Sequence, residues 1–283
     1  ERLDIQFLHE AKSPLRPQEL GFTAGDLARY EGLLRNRGGL IIQAGLSGSG
    51  KRTAVLAALC ALARRGKNAF ALLSHCPYDV PGVSVSVVVP GVLDYPSLLN
   101  SVALREPDAV GADCLHGHET MSAALRAAAQ GALVLGSLHC EDAVAALRRV
   151  FDMGLPGDMV RQTLLGVCGH RLPRRLCACR QAFPASPEER ELLGSPASDR
   201  ELYRLGGCPQ CLHTGYRGFA PVFEVLVVGK SLRPLLRPET ADEELLKAAL
   251  ADGMVSFRAG LSRLVWEGST SLAEALRLGL CQA

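Results

Sequence analysis

Polar and apolar residues alternate over the first fifteen positions, ERLDIQFLHEAKSPL, a pattern that predicts a strand running into a linker. Leu27, Tyr30, Leu33 and Leu34 then recur at helical spacing and predict a helix around 24–35. The glycine-bounded run GLIIQAG (39–45) is too short for a helix and predicts a buried strand, while TAVLAALCALARR (53–65) is an Ala/Leu helix. Further strands are expected at 68–74, 83–89 and 132–138, and helices at 95–104, 119–130 and 141–153. Strands alternating with helices predict an α/β fold with a mostly parallel sheet covered on both faces. From about 171 the character changes to arginines, cysteines and turns, followed by a strand at 220–228 and short helices. The shifts divide the chain into 1–15, a core over 16–170, a cysteine module over 171–218, and a C-terminal strand and helical subdomain over 219–283.

Composition narrows the class without setting the function. With 48% hydrophobic and 21% charged residues, 283 residues suffice to build their own core. A net charge of +2 gives no electrostatic reason to expect nucleic acid or a membrane surface as a default partner. Only five of the basic residues are lysine, which reads as a genomic bias rather than a binding device. No secretory signal and no membrane-length apolar run are visible, and Glu1 at the start reads as a fragment of a longer chain. Ten cysteines in a chain this long point to metal ligation in reducing cytoplasm before a disulfide scaffold.

The segment GLSGSGKRT carries the clearest chemistry. Gly45, Ser47, Gly48, Ser49, Gly50 and Lys51 follow the pattern of a phosphate-binding loop, set between a strand and a helix as such a loop requires. Glycines let successive backbone N–H groups face the phosphates, the helix adds its positive end, and Lys51 supplies a charge. The next residue, however, is Arg52, where the pattern has a Mg²⁺-ligating Ser or Thr, and Thr53 stands one place late. Arginine cannot ligate a cation; its guanidinium is suited to pairing with phosphate in partial replacement of the metal's charge. Thr53, about 100° further round the helix, is a poor substitute. ATP or ADP is the expected ligand, with Mg²⁺ in doubt.

GGLIIQAGLSGSGKRT, LREPDAVGADCLHGHET, GALVLGSLHCEDA, CPQCLHTGYRGFAPVFEVL and GSTSLAEALRLG follow one another in an order that resembles the C-terminal half of the type II secretion and type IV pilus assembly ATPases, the GspE/PulE/PilB group. The resemblance covers about residues 1–280, and it implies a RecA-like P-loop NTPase core with residues 1–15 as the end of a truncated N-terminal domain. It also implies subunits in rings of six, homo- or hetero-hexameric, at the cytoplasmic base of an inner-membrane secretion or pilus platform. The family's catalytic glutamate falls on Cys114, with Asp113 where relatives have glycine and His116 where they have arginine. Its acidic segment falls on HCPYD, where His75 and Cys76 replace two acids and Asp79 keeps a carboxylate. The first histidine of its histidine motif falls on Ala132 and the second survives as His139, while two arginines fall on Asn100 and Leu104, the latter beside Arg105. A cysteine is no carboxylate base, and phosphoryl transfer depends on the positioning and charge neutralisation that these groups supply. The sequence therefore reads as a degenerate ATPase, a nucleotide-binding pseudo-ATPase with a structural or regulatory part in a motor. The alternative is an active motor with relocated groups, in which Asp113, Asp79 and His139 are the weak catalytic candidates.

Cys177, Cys179, Cys208 and Cys211 form two clusters about 30 residues apart, the plan of a closed structural zinc site. The second pair has the two-residue spacer that turns both thiolates toward one ion. The first is C-x-C where relatives have C-x-x-C, which makes a tetrahedral arrangement less comfortable. His213, Cys168 and His170 are the substitute ligands nearby in sequence, and the opposing expectation is a relic loop of free thiols. His116 and His118 read as a metal pair or as an exposed loop, and Tyr216 and Arg217 as a brace between module and core.

Overall fold

The computed structural model describes residues 16–76, 79–89, 91–195, 197 and 200–281, so the strand and linker expected over 1–15 lie outside the described residues. Helix α1 (Ala24–Leu34), capped by the Thr23 hydroxyl, leads into β1 (Gly39–Ala44), every residue of which is buried. The glycine-rich loop and α2 (Lys51–Ala63) follow, then β2 (Ala69–Leu73), β3 (Val83–Val87), α3 (Tyr95–Ala103), β4 (Ala109–Ala112) and α4 (Gly117–Ala129). The core continues through β5 (Leu133–Leu138), α5 (Ala143–Asp152), α6 (Gly157–Thr163) and β6 (Leu164–Arg171). Short strands β7 (Arg174–Leu176) and β8 (Gln181–Pro184), helix α7 (Pro187–Leu192), and strands β9 (Glu201–Arg204) and β10 (Tyr216–Phe219) make up the cysteine-bearing region. The chain closes with β11 (Val222–Val227), α8 (Asp242–Ala251), α9 (Phe257–Trp266) and α10 (Leu272–Arg277).

Among the described residues, seven strands form one sheet in the order β11-β6-β1-β5-β4-β2-β3, parallel except for β11, which runs antiparallel to β6. The expected α/β architecture is what the chain adopts. One apolar layer joins Leu40, Ile42, Val134 and Leu138 to α4 and α5; the other joins Ile41, Leu133 and Leu135 to α1 and α2. Glycines in the strands set how closely the helices approach. A Cβ on Gly136 would come within 2.1 Å of Leu115, and one on Gly111 within 2.5 Å of Leu59.

Strands β4 and β6 and the placement of β11 depart from the sequence reading. Strand β6, not anticipated, lies beside β1 and is buried along nearly all its length, and it starts directly from α6 without an intervening turn. The expected strand at 220–228 forms as β11, but it completes the core sheet rather than standing apart with the C-terminal helices. A smaller apolar cluster of Leu202, Val222, Phe257, Leu261 and Leu264 packs the cysteine-bearing region and the last helices on that edge.

Candidate functional site

The loop sits at the carboxyl end of central strand β1, where open parallel sheets receive ligands. Gly48 (φ 75°) and Gly50 (φ 93°) adopt left-handed backbone that side chains resist, and they turn the chain into the start of α2. Gly45 is needed for space, because a Cβ there would lie 2.4 Å from Ser49 Oγ and 2.8 Å from the carbonyl of His170. Ser47 is exposed at the rim. Lys51 folds over its own loop, its Nζ donating to the carbonyl of Leu46 at 2.7 Å and to Ser49 Oγ at 3.4 Å. Partial burial, with Arg52 adding repulsion, draws Lys51 below the ordinary lysine value.

Arg52 does not turn toward the loop's glycines. Its guanidinium reaches the end of the neighbouring strands, where Nη2 lies 2.7 Å from Asp113 Oδ2 and donates to Ser74 Oγ at 2.9 Å. Nη1 lies 2.8 Å from Nε2 of His75, and Nε is buried with no partner among the described residues. Asp113 follows β4, which ends at Ala112, so its side chain is freed from strand alternation. Its side chain is 2% exposed. Oδ2 also accepts from the Ser74 hydroxyl at 2.9 Å and the Ser74 N–H at 3.1 Å, and Oδ1 accepts from the Tyr95 hydroxyl. Burial, reinforced by Asp113, raises Tyr95 and keeps it a donor. The expectation that Arg52 pairs with phosphate thus meets a guanidinium already held by protein carboxylate.

The remaining groups of the sequence reading scatter. Cys114 is half-buried beside Asp113, and Thr53 is half-buried on α2. Asp79 is exposed, and no contact joins it to Asp113 among the described residues. Burial, with a smaller push from Asp79, raises the thiol of Cys60, nearly three helical turns past the loop. His139 is exposed just after β5, on the loop's side of the sheet, whereas Ala132 is buried before β5 at the opposite end. His116 is lowered by burial, then by the charges of Arg149, His139 and Lys51. Arg105 instead lies over the Phe70 ring at the far end of β2, and Asn100 accepts from Arg126 at 3.5 Å.

The four cysteines converge. Cys177–Cys208, Cys179–Cys211 and Cys208–Cys211 sulfurs lie 3.8, 3.9 and 3.7 Å apart, and all four lie within 4.8 Å of one another. A tetrahedron with metal–sulfur bonds of about 2.3 Å has edges of about 3.8 Å, so this donor set fits a tetrahedral ion. The short C-x-C turn reaches the set where the segment after β9 comes unusually near; a Cβ on Gly206 would lie 2.0 Å from the carbonyl of Cys179. N–H groups of Cys208 and Gly215 point at Cys211 Sγ from 3.4 and 3.3 Å, and they draw that thiol down toward thiolate. The substitute ligands stay out. Cys168 is buried in the sheet, and His170 Nε2 donates to Gln43 Oε1 at 2.6 Å in the core. His213 lies outside the cysteine cluster. Tyr216 ties the module to the C-terminal helices rather than to the core, its hydroxyl 2.7 Å from Ser271 Oγ and its ring under Arg174; Arg217 bonds within the module, to Gln210 at 3.4 Å.

Three buried carboxylates, Asp26, Glu224 and Glu274, were not singled out in the sequence, and the last two tie distant elements together. Glu274 accepts from Arg174 and Arg277 and ties β7 to α10. Glu224 accepts the N–H of Ala143 at 3.1 Å and that of Phe257 at 2.7 Å, the first residues of α5 and α9. Glu224 and Glu274 each lie inside a run that reads as packing, and no spacing marks either.

A family profile described as "Type II/IV secretion system protein" matches residues 1–277. The type II secretion system protein HxcR of Pseudomonas aeruginosa is 33% identical over 98% of this chain and 56% of its own length. The type II secretion system ATPase E of Vibrio cholerae is 32% identical over the same shares. The type IV pilus assembly ATPase PilB of Thermus thermophilus is 28% identical over 98% of the chain and 32% of its own length. Among solved structures, the pilus retraction motor PilT with bound ADP superposes with a TM-score of 0.70 over 96% of the chain and 68% of its own, at 18% identity. The Legionella pneumophila ATPase DotB follows at 0.66, over 94% and 65%, at 15% identity. The chain spans about half the length of the secretion relatives.

Proposed function

The chain belongs to the type II/IV secretion system protein family, and from that premise we propose that it is a nucleotide-binding pseudo-ATPase of a type II secretion or type IV pilus-like machine. It holds ATP or ADP and hydrolyses it weakly or not at all. The observation that carries this reading is Arg52 paired with Asp113, where a metal-assisted ATPase needs a hydroxyl and free acceptors for Mg²⁺. In this reading the loop N–H groups and Lys51 hold the phosphates. Cys114 supplies no carboxylate to draw a proton from water. PilT, which shares the fold, carries ADP in its structure, which supports nucleotide binding.

The subunit takes a structural or regulatory place in a homo- or hetero-hexamer with family ATPase subunits. That ring works in the cytoplasm against the inner-membrane platform of the machine, with no nucleic acid involved. No helix among the described residues is long and apolar enough to cross a membrane. The four cysteines hold a structural zinc, closed by thiolates and open to no substrate. A steady-state assay with MgATP, beside a Lys51→Ala control, tests the reading. The expected turnover equals that of the control, with nucleotide binding lost in Lys51→Ala. Lysine-dependent turnover of about one per second or more, in the range of ordinary enzymes, refutes it.

A further inference from the structure

The cation that phosphate loops ordinarily share with their nucleotide does not fit this site. A divalent ion there needs a hydroxyl after the lysine and a carboxylate with lone pairs to spare, directly or through water. The hydroxyl is replaced by Arg52. The family's carboxylate position is Cys114, and the carboxylate next to it is spent: Asp113, 2% exposed, receives Arg52, the Ser74 hydroxyl, the Ser74 N–H and the Tyr95 hydroxyl. Three different elements, α2, the end of β2 and the start of α3, contribute those donors, so the carboxylate is fixed from several sides. A divalent cation entering beside it meets a guanidinium of the same sign, and a buried pair resists separation.

We propose that Arg52 and Asp113 form a built-in replacement for the divalent cation, so that this loop takes the metal-free nucleoside diphosphate or triphosphate and gains nothing from Mg²⁺. This rests on the nucleotide-binding reading above and specifies the ligand's form. Arg52 satisfies Asp113 from within the chain, and Lys51 with the loop N–H groups is left to meet phosphate charge that the metal would otherwise screen. His75 belongs to the device, since it lies against the guanidinium on the side away from Asp113. The usual acidic residue at that position would compete for Arg52.

Titration of ADP and ATP into the purified chain by calorimetry, once in EDTA and once in millimolar MgCl₂, tests the proposal. The expected dissociation constants agree within about twofold between the two conditions. In Arg52→Thr, which restores the hydroxyl and releases Asp113, Mg²⁺ is expected to tighten ADP tenfold or more. Arg52→Lys keeps the charge and is expected to remain indifferent to Mg²⁺, which guards against a threonine variant that fails to fold; its circular dichroism and melting are compared with wild type. Wild-type binding that tightens tenfold with Mg²⁺ overturns this proposal and leaves the nucleotide-binding reading standing. An Arg52→Lys variant that gains such dependence also overturns it, as does a folded Arg52→Thr that stays indifferent. Absence of binding in both conditions overturns the nucleotide-binding reading itself, and this proposal with it.

Discussion

Replacing Glu274 by glutamine removes the charge that fastens the cysteine-bearing region to the last helix. The Glu274 side chain is fully buried. It accepts from the Arg174 N–H at 3.1 Å, from Arg174 Nη2 at 2.6 Å and from Arg277 Nη2 at 2.7 Å. Burial alone would raise this carboxyl, but hydrogen bonds from Arg277 and Arg174 reverse the effect and hold it at about 2, against an ordinary glutamate near 4.5. At about 1.4 kcal/mol per tenfold, that gap corresponds to about 3 kcal/mol, and screening of the two half-exposed guanidinia trims it to about 2 kcal/mol. The expected drop in melting temperature is about 4–8 °C for a chain of this size. The single tryptophan, Trp266, ends α9, which packs on α10, and reports unfolding in urea. A depressed carboxyl contributes stability above its unfolded value, so the difference between wild type and variant is full above about pH 5. It shrinks as pH falls from about 4.5 toward 2. A loss below about 0.5 kcal/mol at neutral pH, the range of ordinary surface changes, or one that does not shrink in acid, refutes the reasoning.

Glu224 has the opposite sign. Burial lifts it to about 7 despite the N–H groups of Phe257 and Ala143, so the folded state holds a proton that the unfolded chain has released. Its contribution is complete below about pH 4.5 and is lost as pH rises to about 7; urea midpoints over that range should fall more steeply in wild type than in Glu224→Gln, and parallel slopes would refute the assignment. For the cysteine module, elemental analysis of the purified chain is expected to find one zinc per chain. A chelator should lower the melting temperature, and Cys208→Ser should lower it equally; a metal-free chain indifferent to chelator would leave a cluster of thiols with no ion to hold.

Much of the fold was legible because strands and helices alternate with clear periods. The phosphate loop was legible because its glycines and lysine are local. What escaped is instructive. Strand β6 is buried with no polar alternation, starts directly from α6 and contains Gly166, where a Cβ would lie 2.5 Å from the carbonyl of Leu226. Glycine there marks close backbone approach, which a sequence reading takes for a break. A continued strand would alternate Asp113 away from the loop, but β4 stops one residue earlier and the Asp113 carboxylate turns to α2. The pairing with Arg52 joins positions 61 residues apart and is invisible to local spacing (113 − 52). Likewise the shortened C-x-C turn works through Gly206, a position that local pattern does not tie to it.

Glu224 also has a mechanical consequence. Its one carboxylate anchors the first turn of α5, which begins directly after the His139–Asp142 segment beside the loop. The same carboxylate anchors the first turn of α9, which packs beneath the cysteine-bearing region. The two helix starts therefore share one fixed point on β11, so the segment beside the loop and the C-terminal helices are tied to the same edge of the sheet through a single side chain.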